Sequence, residues 1–250
     1  MSLRDRLGAG DTTLGTFLNL GSPLAAEACA LAGFHWLLID LEHGAGEDAL
    51  TGQLLAAAAH GVPALVRVET AERIRAGRVL DAGAAGVMFP RMDTPEQVRA
   101  ALAHLRYPPE GDRGVATYNR ACGFGLRTGT LDTANDEVIG VIQIESLAAL
   151  ENVEAIAQQP GVDVLFVGPR DLTHALGVPG RIDAPEYRDA LQRVLAAAQA
   201  ADVTAGVLAA DRAAGEDYAA DGFGFVAIGS DSSFIAAAAR AAAAQLTTAS

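Results

Sequence analysis

The residues able to do chemistry in this chain stand at the ends of apolar runs. Asp40, Glu42 and His43 close WLLIDLEH, Arg67 lies inside ALVRV, Gln143 and Glu145 close VIGVIQIE, and Gly168, Pro169, Arg170 and Asp171 follow VDVLFV. Carboxylates such as Glu145 and Asp171 are hard oxygen donors, suited to Mg²⁺ or Mn²⁺ with water and substrate oxygens completing the shell. His43 is of the residue type suited to general-base work near neutrality. An unpaired arginine inside an apolar strand is costly, so Arg67 is expected to face an anion or a developing negative charge. Each has a plainer alternative. Glu145 stands before the helix SLAALENV and Asp171 is placed to cap DLTHAL; Arg67 shares a strand face with Glu69 and is able to form a structural ion pair with it or with a barrel-core carboxylate. Of the other histidines, His35 precedes the second run, His60 precedes a turn, His104 lies on a helix and His174 flanks one.

These candidates form one site only if the runs bearing them are parallel strands that end at a common edge. The runs are LGTFLNL (14–20), WLLIDLE (36–42), ALVRV (64–68), GVMFP (86–90), VIGVIQIE (138–145), VDVLFVG (162–168), TAGVLA (204–209) and FGFVAIG (223–229). Between them lie stretches with helical spacing, ended by Gly or Pro. Eight strand-helix units in 250 residues predict one α/β domain, a (β/α)₈ barrel over 1–250, with an open doubly wound sheet as the alternative. In such a barrel the site lies at the C-terminal ends of the strands. The segment 106–136, RYPPEGDRGVATYNRACGFGLRTGTLDTAND, lacks periodicity and reads as a long loop of functional or interfacial use.

Composition removes whole classes of chemistry. All 18 basic residues are arginine, so there is no lysine for a Schiff base, for pyridoxal phosphate or for a P-loop. A formal charge of −13 argues against nucleic acid or an anionic membrane and for a small-molecule partner. Cys29 and Cys122 lack the spacing of a disulfide framework, zinc site or redox motif. Neither a signal peptide nor a membrane span is evident, and the expectation is a cytoplasmic protein.

Taken in order, IDLEHG, LVRV, VLDAGAAGVMFPR, RYPPEGDRG, VIQIES and VDVLFVGPRDLT resemble the HpcH/HpaI family of metal-dependent pyruvate aldolases, of the 4-hydroxy-2-oxoheptanedioate aldolase type. The resemblance runs from GTFLNLGSP to FVAIGSD. It implies a (β/α)₈ barrel, assembled as a hexamer (a trimer of dimers) with an exchanged C-terminal helix. It also implies reversible aldol cleavage of a 4-hydroxy-2-oxo acid to pyruvate and an aldehyde, with Mg²⁺, Mn²⁺ or Co²⁺. By that pattern Glu145 and Asp171 hold the metal, Gln143 contacts substrate, and the backbone at Gly168, Pro169 and Arg170 receives the carboxylate, with Asp171 beside it. His43 matches the general base, Arg67 the residue that steadies the enolate, and Asp81 the acid that raises the histidine's basicity. Asp81 precedes the fourth strand, at the end of the barrel opposite His43, so the pairing has to come from a second subunit; a helix-end aspartate is the alternative. Arg170 stands where the family commonly has a small residue, and ACGFGLRTG departs from the pattern in aromatic and basic content; both bear on the distal part of the substrate. An acyl-coenzyme A lyase of the malyl or citryl type and a barrel without catalysis are the other readings.

Overall fold

The structure, a computed structural model, describes residues 1–45 and 47–247, with side chains described to 244. Eight parallel strands close into one barrel in sequence order: β1 (Thr13–Leu18), β2 (Trp36–Asp40), β3 (Ala64–Arg67), β4 (Gly86–Phe89), β5 (Ile139–Ile144), β6 (Val164–Val167), β7 (Thr204–Ala209) and β8 (Phe225–Ser230). The single α/β domain predicted from the alternation is therefore a (β/α)₈ barrel, and the open sheet is excluded.

The strand sequences are near-continuously apolar because both faces are buried. Alternate residues turn inward: Phe17, Trp36, Leu38, Leu65, Met88, Val141, Val164, Phe166 and Phe225 fill the barrel. The outward set, among them Leu37, Ile39, Val66, Val87, Ile142 and Leu165, packs under the surrounding helices. Trp36 stacks on Phe225 with ring centroids 3.8 Å apart. Gly15 makes that possible, since a Cβ there would run into the Trp36 ring. The inward rows continue past this core to the polar residues. Trp36 and Leu38 lead to Asp40, Leu65 to Arg67, Val141 to Gln143 and Glu145, and Phe166 to Gly168. Register then pairs Asp40 with Arg67 across β2 and β3.

Two helices lie outside the expectation. α1 (Leu3–Gly8) closes the N-terminal end of the barrel, with Leu3 packed on the inner core and Arg4 bonded to the Val138 carbonyl and, at 2.9 Å, to Asp163. α6 (Thr130–Glu137) lies within the segment read as a loop, and its helical character was hidden because it buries none of its residues. That segment also contains a short turn at Gly123–Gly125. It joins α5 (Pro95–Ala103) to β5, at the N-terminal end of the strands. Its Arg113 and Arg120 bind the end of α4 (Arg73–Asp81), where Asp81 lies. Within one chain, then, ACGFGLRTG sits away from the strand ends that carry Glu145 and Asp171.

Candidate active site

Asp40 organises the barrel mouth. It is fully buried, and takes Arg67 Nε at 2.9 Å and Nη2 at 2.7 Å in a two-pronged ion pair. Asn19 Nδ2 adds a third donor at 2.9 Å, and the backbone N–H groups of Glu42 and His43 bond Oδ1 at 3.1 and 3.3 Å. One carboxylate thus fixes both Arg67 and the turn that carries His43. The structural ion pair expected as the alternative for Arg67 is thus present, with the barrel-core carboxylate Asp40 and not with Glu69: β3 ends at Arg67, and Glu69 lies beyond the strand and pairs with Arg75 at 2.8 Å.

Arg67 passes the order on. Its Nη1 lies 3.2 Å from Glu42 and 3.5 Å from Gln143 Oε1, and Gln143 Nε2 donates to Glu145 Oε2 at 2.6 Å. The other Glu145 oxygen accepts the Arg91 N–H at 2.8 Å. Burial works to lower the Arg67 pKa, but the hydrogen bonds and charge of Asp40, with Glu42 and Glu145, outweigh it and the net shift is upward. Glu145 is shifted upward too. Burial is the main cause, the Arg91 N–H opposes it, Asp171 and Glu42 add like-charge repulsion, and Arg67 offsets part of that.

Neither carboxylate is a helix cap. Ser146, not Glu145, caps α7 (Leu147–Glu151), its hydroxyl accepting the Ala149 N–H at 3.0 Å. α9 (Pro169–Ala175) starts two residues before Asp171 and has Gly168 at its cap position, so Asp171 stands in the first turn.

The donor set fits a divalent cation. Glu145 and Asp171 are oxygen donors at one mouth, and Gln143 and the Arg91 N–H leave each Glu145 oxygen a further lone pair for a cation. Gly168 keeps the space clear, since a Cβ there would come within 3.1 Å of both Glu145 Oε2 and Gln143 Nε2. Among the described residues no three His, Cys, Asp or Glu side chains form a metal-holding group, so water and substrate would supply the remaining ligands.

The mouth therefore gathers Asp40, Glu42, Arg67, Gln143, Glu145, Gly168 and Asp171. His43 is at its rim, its side chain 69% exposed and its Nε2 3.9 Å from Glu42. Arg170 is exposed, and its side chain makes no hydrogen bond or ion pair among the described residues. Asp81 is not part of this mouth. It ends α4 at the opposite end of the barrel, paired with Arg113 at 2.9 Å. The remaining histidines serve elsewhere: His35 Nδ1 accepts the Leu14 N–H, His60 and His104 bond Glu27 and Asp112, and His174 bonds the Arg170 carbonyl. Sequence reading missed Asn19 and Arg91. The first acts through a contact between β1 and β2, and the second through its backbone, which residue type does not reveal.

The HpcH/HpaI aldolase/citrate lyase family profile matches residues 13–238. A hydroxypyruvate/pyruvate aldolase of Paraburkholderia phytofirmans is 42% identical over 236 residues, covering 92% of this chain and 91% of that one. A 5-keto-4-deoxy-D-glucarate aldolase of Klebsiella pneumoniae is 39% identical over 226 residues, covering 90% and 88%. The crystal structure of a family protein from Burkholderia cenocepacia superposes with a TM-score of 0.93 at 41% identity, covering 98% of both chains. Profile, relatives and barrel agree with the polar mouth: the chain is a carbon–carbon lyase and belongs to the HpcH/HpaI aldolase/citrate lyase family.

Proposed function

We propose that the protein catalyses the reversible, divalent-metal-dependent aldol cleavage of a 4-hydroxy-2-oxo acid to pyruvate and an aldehyde. The observation that carries this reading is the connected row Asp40, Arg67, Gln143, Glu145, which sets a fixed cation beside buried oxygen donors at one barrel mouth. Relatives named for pyruvate, hydroxypyruvate and keto-deoxy-sugar-acid aldolase activities support the same class.

In this reading Glu145 and Asp171 hold Mg²⁺, Mn²⁺ or Co²⁺, which when bound supplies Lewis-acid polarisation of the 2-oxo group. Gln143 orients the keto acid, and the backbone around Gly168, Pro169 and Arg170 receives its carboxylate. His43 takes the C4-hydroxyl proton as the C3–C4 bond breaks. Arg67, held by Asp40, faces the enolate oxygen and needs no reorganisation as charge develops there. Asp81 supports His43 across a subunit contact, because the two lie at opposite ends of one barrel. That role makes the working form a homo-oligomer, a hexamer built as a trimer of dimers, with α12 (Asp231–Thr247) as the exchanged helix. The exposed Ile235 on α12 is consistent with such a contact. A cytoplasmic location belongs to the same reading; no described helix is long and apolar enough to cross a membrane.

The test is pyruvate release from 4-hydroxy-2-oxo acids of varied tail, with and without chelator. It is paired with the synthetic direction run on pyruvate and on hydroxypyruvate. Activity that chelator abolishes and Mn²⁺ restores is expected. Absence of pyruvate from every acid with all three metals would overturn the proposal, and chelator resistance would overturn the metal.

A further inference from the structure

Arg91 has a backbone conformation that its residue type disfavours. It follows β4 at the barrel mouth with φ of 54°, one of three non-glycine residues at positive φ among those described. Such strain persists only where the surroundings impose it, and it gathers at functional sites. Here the surroundings are visible. Two residues on, Asp93 is clamped to both ends of α7: its carboxylate accepts Ser146 Oγ at the N-cap and its carbonyl accepts Asn152 Nδ2 at the C-cap, 2.9 Å away. The Thr94 cap of α5 follows directly. The chain between β4 and α5 is thereby held in a turn that aims the Arg91 N–H at Glu145 Oε1, 2.8 Å away. The Arg91 side chain is exposed and makes no hydrogen bond or ion pair among the described residues, so the residue meets the site through its main chain.

Glu145 is 8% exposed, and Gln143 holds its other oxygen. With one donor on each oxygen the carboxylate plane is fixed, and each oxygen keeps a further lone pair for a second partner. Removing either donor frees the carboxylate to rotate. We infer that Arg91 is a positioning residue whose left-handed backbone fixes the Glu145 carboxylate in the orientation that receives the divalent cation. The inference rests on the metal-dependent reading above. It assigns the strained main chain, and not the guanidinium, as the part of Arg91 that matters.

Two measurements test it. The first needs no metal: in the chelator-treated protein the Arg91 amide exchanges its hydrogen slowly, and Glu145→Ala speeds that exchange at least tenfold. Unchanged exchange in Glu145→Ala would overturn the inference whatever the metal does. The second is Mn²⁺ titration by calorimetry on variants whose fold is checked by circular dichroism. Arg91→Gly keeps the N–H and accepts positive φ freely, so its Mn²⁺ affinity stays within about twofold of the parent chain. Arg91→Pro removes the N–H and fixes φ near −65°, and its affinity falls at least tenfold. If Arg91→Pro does not fold, Arg91→Val takes its place, since a β-branched residue resists positive φ; it binds Mn²⁺ more weakly than Arg91→Gly. Equal affinity in Gly and Pro, or in Gly and Val, overturns the inference, as does a loss in Gly that matches the loss in Pro. A parent chain that binds no Mn²⁺ overturns the metal reading and with it the role assigned to Arg91, while the exchange measurement still decides whether the Arg91–Glu145 bond exists.

Discussion

At the N-terminal end of the barrel two arginines each pair with one aspartate, whereas at the mouth the buried Arg67 serves a row of acids. Arg4 meets Asp163 and Arg113 meets Asp81, each at 2.9 Å. Among the described residues the buried arginine donors without partners, Arg4 Nε and Arg113 Nε, both belong to that end. Arg67, in contrast, uses Nε, Nη1 and Nη2, and it answers to Asp40, Glu42 and the charge of Glu145 together. The N-terminal ion pairs are imperfectly bonded, as suits a plug. At the mouth the buried side chains of Asp40, Arg67, Gln143 and Glu145 are bonded in one row in which acids outnumber the arginine, as suits the proposed cation site.

Removing Arg67 is the strongest way to break this contrast. Arg67→Ala leaves the fully buried Asp40 without its counterion, and denaturant unfolding is expected to show a loss of about 3–5 kcal/mol. Lyase turnover falls in parallel by about 10²–10³. Arg67→Lys recovers part of the stability but not the two-pronged geometry. Arg4→Ala at the other end is expected to cost about 1–2 kcal/mol, because its side chain is already 35% exposed, with turnover unchanged. A drop in turnover there would show that the two ends are not separable. Asn19→Ala removes one donor of several from Asp40 and costs about 1 kcal/mol, read as a shift in the denaturation midpoint. A loss as large as that of Arg67→Ala would mean that Asn19, not Arg67, anchors the mouth.

The smallest effect concerns pH. Glu145 has a folded-state pKa above its ordinary value, chiefly through burial, so its favourable contribution is complete below the ordinary carboxylate range and is lost as pH rises through the folded value. Chelator-treated Glu145→Gln is therefore expected to melt above the parent chain at neutral pH and together with it in acid. Equal melting at both would mean that burial does not disfavour the charged form of Glu145.

Much of the site was legible because it obeys alternation. Asp40, Arg67, Gln143 and Glu145 extend inward-facing rows whose earlier members are apolar, and a polar residue ending such a row has nowhere to point but the barrel mouth. The Glu69 alternative failed for the same reason in reverse: alternation was carried one step past the end of β3. α6 was invisible because it buries nothing, and α1 because one turn and a half of helix gives no periodicity to read. Arg91 offered no signal, since its contribution is a backbone N–H at positive φ, and arginine does not announce that conformation.

The sequence by itself determined the strand-helix rhythm, the inward parity of the site residues and, through the absence of lysine, that no imine route is open to this lyase. These follow from backbone period and side-chain chemistry, which are local properties. Only the tertiary structure decided that Asp40 lies opposite Arg67, that Arg91 turns its N–H to Glu145, and that Asp81 sits at the far end of its own barrel. Register and closure are set by contacts between residues far apart in the chain, and local preference does not encode them.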